Sequence, residues 1–318
     1  MNLIDVFNGD ADGLCALHQL RLADPADSEL ITGPKRDISL LKQVKAGAGD
    51  RITVLDIALS KNRDALDRLL EVGAQVRYFD HHQPGDIPVH PNFEPHIDTD
   101  ANVCTSLLVN RYVQGRHLAW AVAAAFGDNL ADAARQAAAP LDLSAGQLAQ
   151  LQSLGECLNY NGYGETLDDL FFDPADLYRQ LRPCADPFAF IAESPAYATL
   201  KTGYREDMAR AVAAEPLEAR ASGRIFMLPA EKWARRISGV FGNRLAVESP
   251  AQAHAVLTGK PEGGYLVSVR APLAARSGAD ELCSQFDSGG GRRGAAGINH
   301  LPESGLGRFM AMFFKTFD

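Results

Sequence analysis

Three short apolar runs in the first eighty residues each end on acidic side chains, and helical stretches lie between them. Leu3 to Phe7 leads into Asn8, Gly9, Asp10, Ala11, Asp12 and Gly13. Arg51 to Leu55 ends on Asp56, and Gln75 to Phe79 ends on Asp80, followed by His81 and His82. Gly13 to Ala23 carries Leu14, Leu17 and Leu20 on one side. Asn62 to Val72 carries Leu66, Leu69 and Leu70 at helical spacing, with Gly73 in the usual place for a helix-ending glycine. Strand, helix and strand in this rhythm predict an α/β fold built on a parallel sheet with right-handed crossovers. Ligands of such sheets gather outside the carboxyl ends of the strands. The three acidic termini are therefore expected on one edge.

The rest of the chain divides by its punctuation. Val103 to Leu181 is mostly helical and Ala-rich, with a buried helix from Leu118 to Phe126 interrupted at Gly127, Asp128 and Asn129. Pro183, Pro187 and Pro195 break this pattern, and Tyr197 to Ala214 reads as one connecting helix closed by Pro216. A second β/α series follows. Its strands are expected at Arg224 to Leu228, Leu245 to Val247, Ala253 to Leu257 and Tyr265 to Arg270, with a helix from Lys232 to Val240. The predicted architecture is a Rossmann-like parallel-sheet domain over residues 1–196, a helical connector over 197–217 and a smaller α/β domain over 218–318.

Composition narrows the function. Forty acidic residues against 31 basic ones give a net charge of −9, which argues against gripping long duplex nucleic acid through a basic face but leaves room for a local anion pocket. The five cysteines are odd in number, far apart and never CxxC, so neither a disulfide framework nor a zinc ribbon is expected. The longest apolar run, Leu118 to Phe126, is too short to span a bilayer, and the N-terminus lacks the marks of a signal peptide. A cytoplasmic protein without membrane partners is the expectation, and a homodimer is compatible with it.

Asp10, Asp12, Asp56, Asp80, His81 and His82 would converge on one sheet edge. So many carboxylates in one crevice repel one another unless cations compensate. Oxygen donors with some imidazole suit Mn²⁺ or Mg²⁺. Asp10 and Asp12 could serve two neighbouring ions with Asp56 between them, and a two-ion site suits in-line hydrolysis of phosphate esters. Each signal alone has a plain reading. Asp-x-Asp-Gly is commonly a helix N-cap, a lone strand-end aspartate a surface acid, and Asp-His-His a loop. Their joint occurrence at three strand ends of one sheet favours the metal reading.

The ordered set resembles the DHH phosphoesterases, named for the triplet found here as Asp80, His81 and His82. The segment Asn8 to Gly13 is similar to the first motif in its RecJ-type variant. Leu55 with Asp56 resembles the second motif, and Phe126, Gly127 and Asp128 the fourth. The glycine run Gly289, Gly290 and Gly291, followed by Arg292, Arg293 and the stretch Ala295 to Gly297, resembles the associated DHHA1 substrate-binding domain. The likeness implies two Mn²⁺ ions, with Mg²⁺ as a substitute. Asp10 and Asp56 would hold one ion, and Asp12, Asp56, His81 and Asp128 the other. It also implies that Asp80 orients a histidine, that His82 lies near the scissile phosphate, and that water activated by coordination is the nucleophile. Three positions depart from the pattern. Val6 stands where many members have a histidine ligand, Asn8 where the RecJ-type variant has an acid, and Arg292 where the glycine motif usually has a histidine. With Asn8 near the reaction as an uncharged donor, the first ion would be held more weakly.

Anion contacts are expected from Gly289 to Gly291 with Arg292, Arg293 and Arg270, and from Thr105 and Ser106 at a helix start. Tyr160 is a candidate for stacking a base. The bland readings are a glycine turn with solvated arginines, an ordinary N-cap and a half-buried tyrosine. Two compact domains without a strand-guiding module point to hydrolysis of linear dinucleotides such as pGpG, and of very short RNA. The alternatives are a cyclic-dinucleotide phosphodiesterase, a pyrophosphatase or polyphosphatase, a 3′-phosphoadenosine 5′-phosphate phosphatase, or a non-catalytic nucleotide sensor.

Overall fold

The strand β1 (Leu3–Asn8) is buried from Ile4 onward, as a strand covered on both faces must be. The computed structural model describes residues 1–318 and divides into two compact units, Met1–Thr202 and Gly203–Asp318.

In the first unit β1 is followed by α1 (Ala11–Ala23), β2 (Glu29–Gly33), β3 (Arg51–Leu55), α2 (Leu59–Glu71), β4 (Gln75–Asp80) and β5 (Phe93–Ile97). The strands form one sheet in the order β2-β1-β3-β4-β5, and every pair is parallel. Val6, Val54 and Tyr78 share an apolar core with Leu66, Leu69 and Leu70 of α2. The opposite face is covered by α1, α3 (Thr105–Tyr112) and α7 (Pro174–Leu181), and α4 (Leu118–Gly127), α5 (Ala131–Ala138), α6 (Ala145–Gly162) and α8 (Pro187–Glu193) pack onto these or one another and complete the unit up to α9 (Pro195–Val212). On this side Phe7 of β1 meets Tyr178 of α7 with ring centres 5.9 Å apart.

Two of these helices touch backbone to backbone. A Cβ on Gly155 of α6 would lie 1.9 Å from the carbonyl oxygen of Ala123 in α4, and one on Gly127 would lie 2.7 Å from that of Gly155. Only glycine permits this approach. It sets the end of α4, where Asp128 follows, against α6, which carries Asn159 in its last turn.

The second unit contains β6 (Pro216–Arg220), β7 (Gly223–Leu228), α10 (Lys232–Glu248), β8 (Ala253–Gly259), β9 (Tyr265–Arg270), α11 (Ala279–Cys283), β10 (Gly289–Arg292), β11 (Ala295–Leu301) and α12 (Leu306–Phe317). Its sheet runs β10-β11-β9-β8-β7-β6. Only β7 and β8 pair in parallel. Ile225, Leu257 and Val267 pack with Phe309, Phe313 and Phe314 of α12.

Several expectations change. The run Leu245 to Val247 is not a strand: α10 continues through it, because Phe241 and Leu245 lie one helical turn apart and are both buried. The glycine run is not an open loop. It is the edge strand β10, with Gly290 opposite Gly297 and Arg292 opposite Ala295. A Cβ on Gly289 would lie 1.8 Å from the Cys283 carbonyl oxygen, and Gly291 has φ 148°. Close packing against the end of α11 explains the first of these glycines and backbone conformation the second. The division between the units falls inside α9, which is continuous from Pro195 to Val212. All five cysteines are free, and no helix is long and apolar enough to cross a membrane.

Candidate metal centre

The turn after β1 is built by its own acids. Asp10 caps α1, its Oδ1 accepting the backbone N–H of Asp12 at 3.0 Å and of Gly13 at 3.1 Å. Asn8 Oδ1 accepts the N–H of Asp10 at 3.3 Å, so this amide shapes the turn. Val6 lies in the apolar core.

Asp12 reaches a different helix. Its two carboxylate oxygens accept the first two amides of α3, Thr105 N–H and Ser106 N–H, both at 2.7 Å. Cys104, at the N-cap, makes no side-chain cap, so Asp12 serves in its place. The hydroxyls are engaged as well. Thr105 Oγ1 donates to Asp56 at 3.2 Å, and Ser106 Oγ donates to the Asp12 carbonyl at 2.8 Å. Thr105 and Ser106 therefore hold the aspartates and do not form a free phosphate cradle. A buried carboxylate outcompetes a solvated ligand for amides already aimed at it.

Asp56 follows β3 in the left-handed region, with φ 59°. Aspartate tolerates this conformation better than most residues. Its N–H donates to the Phe79 carbonyl at 3.0 Å, which fixes the turn against β4. At the end of β4, Asp80 Oδ1 accepts the His81 backbone N–H at 2.9 Å and His82 Nδ1–H at 2.7 Å. Its other oxygen is buried without a partner. His81 Nδ1–H donates to the Val103 carbonyl at 2.8 Å. That bond fixes the ring, with Nε2 3.5 Å from Asp56 Oδ1 and 3.7 Å from Asp128 Oδ2. A backbone carbonyl on one ring nitrogen and carboxylates facing the other is the arrangement of a metal-ligating histidine.

One cation in this site was not anticipated from the sequence. Lys35 Nζ lies 2.5 Å from Asp10 Oδ2, 3.4 Å from Asp128 Oδ1 and 3.3 Å from Asn159 Oδ1, with the Tyr163 ring centre 5.7 Å away. The only signal in the sequence is a lysine two residues past Gly33, at the end of a strand whose mixed composition does not announce it.

The ionisation of the centre follows from its crowding. Burial, then the charges of Asp12 and Asp10, push the Asp56 carboxyl well above the usual carboxylate range. Burial likewise raises Asp12, against the opposing charge of His81. For Asp10, burial opposes ionisation but Lys35 and the Gly13 amide outweigh it, and the group is held low. Burial lowers His81 less than Asp56 and its neighbours raise it, and its pKa reaches about 10. Without added cations the centre thus retains protons on groups that ordinarily lose them, as expected where carboxylates need a divalent cation. Two sets of donor atoms lie within 4.8 Å of one another: Asp12, His81 and Asp128, and Asp56, His81 and His82. These donors fit an ion that prefers oxygen with imidazole.

Tyr160 is fully buried in α6 beside Phe171, so it cannot stack on a base. Arg270 is braced by Asn243 Oδ1 at 2.6 Å, Ser268 Oγ at 2.9 Å and the Gly239 carbonyl at 3.2 Å. It ties β9 to α10 within its own unit. Arg292 and Arg293 are exposed at the end of the β10–β11 hairpin, beyond the half-buried Gly289 and the exposed Gly290 and Gly291.

No protein-family model and no curated protein matches the chain. Solved structures do. A DHH-domain protein described as a member of the s1p family of ribosomal proteins shares 14% identity at a TM-score of 0.65, over 99% of this chain and 86% of that one. Manganese-bound exonuclease RecJ shares 16% at 0.63, over 98% and 89%. This chain has the DHH-domain fold. The pGpG-specific phosphodiesterase PggH from Vibrio cholerae shares 14% identity at a TM-score of 0.54, over 99% of both chains. In this chain's DHH fold, the triplet Asp80, His81 and His82 closes β4 beside the acids of β1 and β3.

Proposed function

We propose that the chain is a divalent-metal-dependent phosphodiesterase that hydrolyses linear dinucleotides, such as pGpG, and very short RNA to mononucleotides. The observation that carries this reading is the approach of His81 Nε2 to Asp56 and Asp128 while its Nδ1 is anchored on Val103. Asp12, Asp56, His81 and Asp128 would hold the ion, Mn²⁺ or Mg²⁺. A bound divalent ion supplies an activated water and neutralises charge on the phosphate. The protein does the rest. Asp80 holds His82 by Nδ1, leaving the other ring nitrogen of this one-third exposed side chain to protonate the leaving oxygen. The left-handed turn at Asp56 presents its carboxylate toward His81, and Thr105 Oγ1 keeps it there.

Two observations favour short substrates. The net charge of −9 gives a long polyanion no broad surface to follow. The full-length likeness to PggH, 99% of both chains, comes from a protein of matching size whose stated substrate is pGpG. In the second unit, exposed Arg292 and Arg293 are the candidate anion contacts.

The test is a product assay with pGpG, pApA, a five-nucleotide RNA, a thirty-nucleotide RNA and pyrophosphate, each with Mn²⁺, with Mg²⁺ and with a chelator. Mononucleotide release from the short substrates, abolished by the chelator and by Asp56→Asn, is expected. Phosphate from pyrophosphate alone, or binding without turnover under every metal condition, would overturn the reading.

A further inference from the structure

Asp10 is an aspartate at the centre of the first motif, yet neither set of clustered donor atoms includes it. Its Oδ1 is occupied by two amides of α1 and its Oδ2 by Lys35 at 2.5 Å. Lys35 is held as firmly as its acceptor. Its backbone N–H donates to the Gly162 carbonyl at 2.9 Å, and the strand β2 ends two residues earlier. The ammonium meets three oxygens, from Asp10, Asp128 and Asn159, which matches its three protons. The other positions of the first motif add no ligand beside Asp10, although the Asp56 carboxyl also reaches it. Val6 is in the core, and Asn8 Oδ1 is turned to the Asp10 amide.

We propose that Lys35 is a tethered monovalent cation standing where a second divalent ion would otherwise sit beside Asp10. The chain then binds one divalent ion, at Asp12, Asp56, His81 and Asp128, where sequence alone suggested two. This rests on the metal reading above. A divalent ion entering beside Asp10 would have to expel an ammonium that already neutralises the carboxylate and already occupies the Asp128 and Asn159 oxygens such an ion would need. Asp128 is the shared element: one oxygen faces Lys35 and the other faces His81. The lysine thus couples the two halves of the centre through one carboxylate.

The test is metal stoichiometry, with no reliance on turnover. Equilibrium dialysis with Mn²⁺, read by elemental analysis and by manganese electron paramagnetic resonance, is run on the full chain and on Lys35→Arg, Lys35→Ala and Lys35→Ser. One Mn²⁺ per chain is expected for the unaltered protein and for Lys35→Arg. Two are expected for the Ala and Ser variants, with the broadened signal of a coupled pair. The two neutral variants guard against one of them failing to fold, which circular dichroism checks. Two ions in the unaltered protein, or one ion in every folded variant, would overturn the role of Lys35 while leaving the metal reading intact. No bound ion in any protein would instead overturn the metal reading itself.

Discussion

The carboxylate of Asp12 accepts the backbone N–H of Thr105 at 2.7 Å across 93 residues of sequence. With Ser106 on its other oxygen, this acid caps a helix as well as facing His81 and Asp128 in the candidate metal centre. Asp12→Ala should therefore cost stability with no metal present, by about 2 kcal/mol or more, because two buried amides lose their acceptor. Asp12→Asn keeps one acceptor and should lose less. Urea denaturation in chelator measures both, and an unchanged midpoint for Asp12→Ala would remove the capping role.

Asp56 should show itself in the pH dependence of stability. Its carboxyl is raised in the fold, so the folded state holds a proton that the unfolded state releases above the ordinary carboxylate range. The metal-free protein must then lose stability as pH rises from that range through the raised value. Asp56→Asn cannot ionise, and it should melt higher than the unaltered protein at pH 8 in chelator, with the difference shrinking toward pH 5. A lower melting point at pH 8 would show that ionised Asp56 stabilises the fold.

A second pH effect lies outside the centre. His18 is buried, its Nε2–H donating to the Cys184 carbonyl at 2.8 Å and its ring edge-on to Trp120 at 4.6 Å. Burial lowers its pKa from 6.5 to about 4. The unfolded state therefore binds the extra proton between these values. Stability is full above pH 6.5 and falls as pH drops toward 4, by about 3 kcal/mol. His18→Gln can retain the donor and should flatten this slope. Denaturation followed by tryptophan fluorescence at pH 7 and pH 5 decides it, and equal slopes in both proteins would reject the assignment.

Gly155→Ala should disturb the centre from a distance. The new Cβ would meet the Ala123 carbonyl oxygen at 1.9 Å, which forces α4 and α6 apart at a cost of about 1–3 kcal/mol. Because α4 ends at Asp128, Mn²⁺ affinity should fall as well. Gly146→Ala, in the same helix, meets nothing nearer than 3.9 Å and should stabilise by up to about 1 kcal/mol. If both variants gain stability, the close crossing does not constrain the helices.

The parallel sheet was legible because β1, β3 and β4 are apolar and bounded by helices of clear periodicity. β2 and β5 were not: the strand Glu29–Gly33 and the strand Phe93–Ile97 are short, lie at the sheet edges and carry polar residues or proline. Losing β2 also lost Lys35, whose importance depends on the strand that delivers it. The acids were legible as a group because they end strands. Their partners were legible only in part: the helix start at Thr105 and Ser106 reads as an anion contact, but that its anion is Asp12, and that the Val103 carbonyl holds His81, depends on backbone atoms of a distant segment that no residue type announces. The glycine run resembled a phosphate loop because close packing and anion binding ask for the same residue.

The anchor of His81 on Val103 lies two and three residues from the amides of Thr105 and Ser106 that hold Asp12. Residues 82–102 are thereby closed into an excursion whose two ends meet at the metal centre. The centre thus contains its own spectroscopic reporter. A cation drawing charge from the Asp12 carboxylate must weaken its hold on those two amides. With diamagnetic Mg²⁺ their proton resonances would move upfield, and their exchange with solvent would change, as the site fills. Loading of the site could then be followed residue by residue in solution, with no substrate present.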